Sequence, residues 1–122
     1  MQKPRIFEVA KFVQRSEGEP IRAIVTESPE SVVTVWYVMP GQQVRPHIHP
    51  SGQDTWVVLS GEGQYVLDAD GTTMPIASGH VVVAHTGQVH GVSNSGSEPL
   101  QFVSIVAPAD AGFEVVKAVV KA

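Results

Sequence analysis

Short Val-rich, β-branched and aromatic runs fill most of this chain, each closed by a cluster of Gly, Pro, Asp or Ser. Residues branched at Cβ favour extended backbone, and Gly and Pro are where a chain reverses, so the pattern writes strands joined by tight turns. Strands are predicted at Ile6 to Val13, Ile21 to Thr26, Val32 to Met39, Val44 to His49, Thr55 to Leu59 and Gln64 to Leu67. Four more follow at Thr72 to Ile76, His80 to Ala84, Val89 to Asn94 and Leu100 to Ala107. The turns between them are marked by Pro40-Gly41, Ser60-Gly61-Glu62-Gly63, Asp68-Ala69-Asp70-Gly71, Ser78-Gly79 and Asn94-Ser95-Gly96, which put Gly where positive φ is needed. No segment of useful length has a clean helical period, and Phe113 to Ala122 fits either a last strand or a short helix. The expectation is an all-β sandwich or barrel.

A length of 122 residues without a linker-like break in composition suits one domain, and 43% hydrophobic against 16% charged residues supplies a core. No apolar run is long enough to span a membrane, and Met1 to Arg5 carries charge with no apolar stretch behind it, so a soluble, cytoplasmic protein is expected. A net charge of −4 without any Lys or Arg cluster argues against a nucleic-acid partner. The chain has no cysteine, which excludes disulfides and thiolate sites and leaves imidazole and carboxylate as the strong metal ligands.

Four of the five histidines fall into two groups, His47 with His49 and His85 with His90. Side chains two apart on a strand share a face, so His47 and His49 present their rings together, about 6–7 Å apart along the strand. Taken alone, such a pair is as readily two polar residues on a wet face. Asp54 stands at the head of Thr55-Trp56-Val57-Val58-Leu59, where a buried carboxylate costs several kcal/mol unless charge-paired or metal-bound. His90 lies far along the chain and joins these residues only if the sheet closes as a barrel does.

With these residues in view, the chain resembles the cupin superfamily. The first motif of that family runs Gly, five residues, His-x-His, three or four residues, Glu, six residues, Gly, and Gly41, His47, His49 and Gly61 match in register. The second runs Gly, five residues, Pro-x-Gly, two residues, His, three residues, Asn, and Gly79, Gly87, His90 and Asn94 stand at those spacings. The resemblance covers about Val32 to Pro108. It implies a single-domain cupin double-stranded β-helix, or jelly-roll barrel, holding one divalent ion through His47, His49 and His90, with Asp54 as fourth ligand. Two positions depart from the motifs. Asp54 replaces a Glu and is one methylene shorter, so it ligates directly or through water. His85 replaces a Pro, and is either a surface-loop histidine or an acid or base at the pocket mouth; His80 reads as a surface residue.

By strand alternation Arg45 shares the face of His47 and either binds a substrate carboxylate at the pocket mouth or is an ordinary edge charge. Trp56 and Val58 share a face with Asp54, and Val92 and Asn94 share one with His90, giving a mostly apolar pocket wall. Iron, manganese, nickel, copper, cobalt and zinc all accept such ligands. A metal-dependent enzyme of dioxygenase, isomerase or decarboxylase type on a small organic acid or carbonyl compound is expected, with Arg45 and His85 as candidate catalytic groups. The alternative is a non-catalytic small-molecule binding or sensing module. The organisation expected is N-terminal strands over 1–31, the barrel over 32–108 and a C-terminal strand or short helix over 109–122. An N-terminal strand with an edge to protect, and the family resemblance, both point to a homodimer.

Overall fold

The computed structural model describes residues 3–117. Ten strands are present among them: β1 (Ala23–Glu27), β2 (Val32–Val38), β3 (Gln43–Ile48), β4 (Gln53–Ser60), β5 (Glu62–Val66), β6 (Thr73–Ala77), β7 (Val81–Ala84), β8 (His90–Ser93), β9 (Leu100–Ala107) and β10 (Glu114–Val115). They form two antiparallel sheets, ordered β1-β2-β9-β4-β7 and β10-β3-β8-β5-β6. Alternation decides which side chains face inward. On β4, Asp54, Trp56 and Val58 are buried while Gln53 and Leu59 are exposed. On β9, Leu100, Phe102 and Ser104 are likewise buried. Inward residues of both sheets, among them Val38, Trp56 and Phe102 from the first and Val44, Tyr65 and Val92 from the second, close one core. This is the all-β jelly-roll barrel that the sequence predicts.

The first expected strand is not there. Ile6 to Val13 contains a single 3-10 turn at Val9–Lys11 rather than a strand. Its apolar side chains Phe7, Val9, Phe12 and Val13 pack over Val35, Ala23 and Val25 on the outside of the first sheet. The segment contributes by covering apolar surface, and β-propensity yields to that packing. At the other end, the strand alternative holds only for Glu114–Val115, which pairs with His47 and Ile48 of β3; residues 118–122 of the expected element lie outside the described residues.

Tight approaches position the strand that carries the carboxylate. Gly52 has φ +75°, and a Cβ there would run into the carbonyl oxygen of Ala107, so only Gly brings the start of β4 this close to the end of β9. The buried Asn94 side chain donates to the carbonyls of Val38 and Glu98, at 2.9 and 2.8 Å, tying the loop after β8 to the end of β2.

Candidate metal centre

Two sheets contribute to one cluster. In the second sheet His47 on β3 stands directly opposite His90 on β8, with ring centroids 4.1 Å apart. His49 lies just beyond the end of β3, and its ring is 5.1 Å from that of His90. Asp54 enters from β4 of the first sheet, its Oδ2 3.3 Å from His49 Nε2 and 3.0 Å from His90 Nε2. All four side chains are buried, and each offers a ligand atom within 4.8 Å of the others.

A β-bulge puts His47 there. Pairing between β3 and β8 shifts register between Val44 and His47, so both of these residues are buried although they lie on opposite parities of an ideal strand. Arg45 lies at the rim of the cavity, exposed and ion-paired with Glu19 at 3.1 Å.

The second nitrogen of each imidazole fixes what the first can do. His47 Nδ1 lies 2.7 Å from the Arg45 carbonyl, His49 Nδ1 2.7 Å from that of Gly112, and His90 Nδ1 3.1 Å from that of Gln88. A carbonyl only accepts, so these Nδ1 atoms carry the proton and donate it, leaving the Nε2 lone pairs turned to the centre. Two lone pairs facing a carboxylate oxygen are unfavourable unless a proton or a cation sits between them. Separations of 3.0–3.3 Å would let one cation be shared by both rings and the carboxylate. The donor set therefore fits a divalent metal: four buried His and Asp residues are positioned to bind one.

The electrostatics follow from burial and pairing. Burial, reinforced by the neighbouring His90, pushes His47 down to about 4, so its ring stays neutral. For His49 burial opposes protonation, but the hydrogen bond with Asp54 prevails and raises it above the ordinary 6.5; the nearby Arg22 charge acts in the opposite sense. Burial alone would raise Asp54, yet its pairing with His49 and His90 and the hydrogen bond from Ser104 hold it well below the usual carboxylate range. The Ser104 hydroxyl, at 2.6 Å from Asp54 Oδ1, is donated from the neighbouring strand β9.

Above the cluster opens a cavity of about 720 Å³, reached by His47, His49 and Asp54. Trp36 and Trp56 line it and stack on either side of Phe102, at 6.2 and 4.0 Å between centroids. Phe113 closes over the histidines, 4.8 Å from His47. Ser104, Arg22 and Phe113 belong to neither motif. The buried-face parity of Ser104 with Phe102 was available as a signal, but nothing near Arg22 or Phe113 marks them as pocket residues. His85 is exposed just beyond β7, where its backbone N–H donates to Gln88 Oε1, and it does not line the cavity. His80 is also exposed, its Nδ1 accepting from the Ala77 N–H.

The chain is similar to several known proteins. A crystal structure of an uncharacterised conserved protein with a double-stranded β-helix domain from Klebsiella pneumoniae is 49% identical, with a TM-score of 0.90 over 93% of this chain and 98% of that one. The polyketide cyclase RemF from Streptomyces resistomycificus shares the fold at 18% identity, with a TM-score of 0.75 over 94% of this chain and 86% of that one. An oxalate-binding protein from Thermotoga maritima is 31% identical over 67 residues, 55% of this chain and 54% of that protein, so the match spans about half of the curated relative. The Cupin domain family model matches residues 34–106, a stretch that holds all four clustered residues, and the chain belongs to the cupin family.

Proposed function

We propose that this cupin is a metal-dependent enzyme of dioxygenase, isomerase or decarboxylase type, acting on a small organic acid or carbonyl compound. The observation that carries this reading is the placement of the cluster: three imidazoles and a carboxylate converge, and a cavity of about 720 Å³ reaches three of them, His47, His49 and Asp54. A structural site closes its coordination with protein ligands, whereas a site opening onto a cavity leaves positions for substrate. His47, His49, His90 and Asp54 would hold the ion, one of iron, manganese, nickel, copper, cobalt or zinc. A bound divalent ion supplies Lewis acidity, or redox capacity where the metal allows it. The chain's own part is to fix the ligands through backbone carbonyls and Ser104, and to line the cavity beside them with Trp36, Trp56 and Phe113. The name of the oxalate-binding relative supports the acid side of this reading.

A ligand-binding or sensing module is the second reading, favoured by the position of His85 outside the cavity. Without it, Glu19 and Asp110 at the rim are the remaining carboxylates lining the cavity apart from Asp54. A cytoplasmic location and a homodimer belong to the same proposal; no helix among the described residues is long and apolar enough to cross a membrane. Elemental analysis of untagged protein beside His49→Ala tests it. About one equivalent of metal, lost in the variant, is the expected result, followed by oxygen-uptake and decarboxylation assays on an acid panel. Absence of metal from both proteins overturns the enzyme reading in favour of the binding module.

A further inference from the structure

Arg22 is the unused charge at the mouth of the cavity. It directly precedes β1, whose first residue, Ala23, is buried, so the backbone that carries the guanidinium is anchored. The chain before it is strapped down: Gln42 Nε2 donates to the carbonyls of Ser16 and Gly18, at 2.6 and 2.5 Å, and Arg45 pairs with Glu19. Arg22 lines the cavity, and among the described residues it has no ion pair or side-chain hydrogen bond. Of the two arginines at the rim, Arg45 already has an acidic partner and Arg22 does not.

The rest of the cavity sets the size and character of what that charge would hold. A volume of about 720 Å³ is in the range that encloses a drug-sized molecule. Oxalate, a two-carbon dianion occupying little more than two waters of about 30 Å³ each, would leave most of it empty. Besides Glu19, Arg45 and Asp110, the lining includes the side chains of Trp36, Trp56, Phe113 and Val106, surfaces that favour a flat apolar body.

Resting on the metal-site reading above, we infer that the ligand is a monocarboxylic acid with an aromatic or similarly bulky apolar body. Its carboxylate is held by Arg22 at the mouth, its body lies between Trp36 and Phe113, and its far end reaches the His47, His49 and Asp54 cluster. Arg22 is a specificity-determining residue in this arrangement.

Calorimetric titration of 2-naphthoate, 2-naphthamide and oxalate into the metal-bound protein tests this, with elemental analysis of the same samples. Naphthoate is expected to bind at least about tenfold more tightly than the amide, the margin of a charge-assisted hydrogen-bonded pair. Arg22→Gln is expected to remove that margin, Arg22→Lys to restore part of it, and Arg45→Gln to change naphthoate affinity less than about threefold, because an exposed ion pair contributes little. Equal binding of acid and amide, an unchanged affinity in Arg22→Gln, tighter binding of oxalate than of naphthoate, or no binding of naphthoate would each overturn the inference. Repeating the titration after chelation separates the two readings. Discrimination by Arg22 in protein found to carry no metal leaves the ligand class standing and removes the enzyme reading. Metal without discrimination does the reverse.

Discussion

At the scale of single residues, the centre depends on side chains that never touch the ion. Ser104 donates to Asp54 Oδ1, the oxygen that faces away from the histidines, and so holds the shorter acid in place where the family motif has Glu. Ser104→Ala is expected to fold normally and to bind metal about 10–100-fold more weakly, as for other lost partners of a ligand, in a competition titration against a chelator. An unchanged affinity would mean that Asp54 is placed by its backbone alone. Protons compete with the ion for the same Nε2 lone pairs, and the signs of the shifts say where. His49 is raised above 6.5 by Asp54, so its protonation competes with metal near neutral pH; His47, near 4, and Asp54, lower still, offer no competition across the neutral range. Metal affinity should therefore drop by at least about tenfold per pH unit below the His49 pKa, the slope for one displaced proton. A flat titration from pH 7.5 to 5.5 would contradict that assignment.

Among the elements, the pairing of β3 with β8 is what aligns His47 with His90, and Gly91 permits it. A Cβ on Gly91 would lie 2.7 Å from the Val44 carbonyl oxygen and 3.0 Å from the Pro46 nitrogen, both backbone atoms of the bulge. Gly91→Ala must push the strands apart, so it is expected to destabilise the fold by about 1–3 kcal/mol in urea unfolding and to weaken metal binding as well. Loss of stability with intact metal affinity would show that the two rings do not depend on this register. The bulge also marks the limit of what could be read from sequence. Alternation located the inward residues of β4, where the strand is regular, and the resemblance of the two motifs named His47, His49, Asp54 and His90, which the fold brings into one cluster. The same alternation put Arg45 at the pocket mouth, where it lies, but could not show the bulge, because an extra residue at Arg45-Pro46 leaves no trace in a hydrophobic pattern. It also made a strand of Ile6 to Val13, where the determining fact is the outer face of another strand that those side chains cover. Arg22 and Phe113 reach the cavity through segments outside both motifs, so no local spacing announces them.

For the molecule as a whole, the outer face of the first sheet poses a solvent problem that the N-terminal segment solves only in part. Register aligns Val35, Val103, Val57 and Val81 across β2, β9, β4 and β7, and beside them Val33, Ile105, Thr55 and Val83. Phe7, Val9, Phe12 and Val13 bury the β2 end of these rows, Val35 being 1% exposed, while Val81 at the β7 end remains 62% exposed. These outward positions of β9, β4 and β7 carry no charged side chain, so the uncovered half selects neither an acidic nor a basic partner. A second copy presents the same aliphatic rows and can cover them across a two-fold axis, which is the homodimer proposed above. Sedimentation equilibrium at micromolar concentration should give twice the 13.0 kDa chain mass. The double variant Val57→Lys, Val81→Glu should sediment as a monomer that still carries its metal, since neither position touches the cluster. Wild-type protein that remains monomeric would leave this face to a different covering partner. A dimer unaffected by the double variant would move the two-fold axis to another surface.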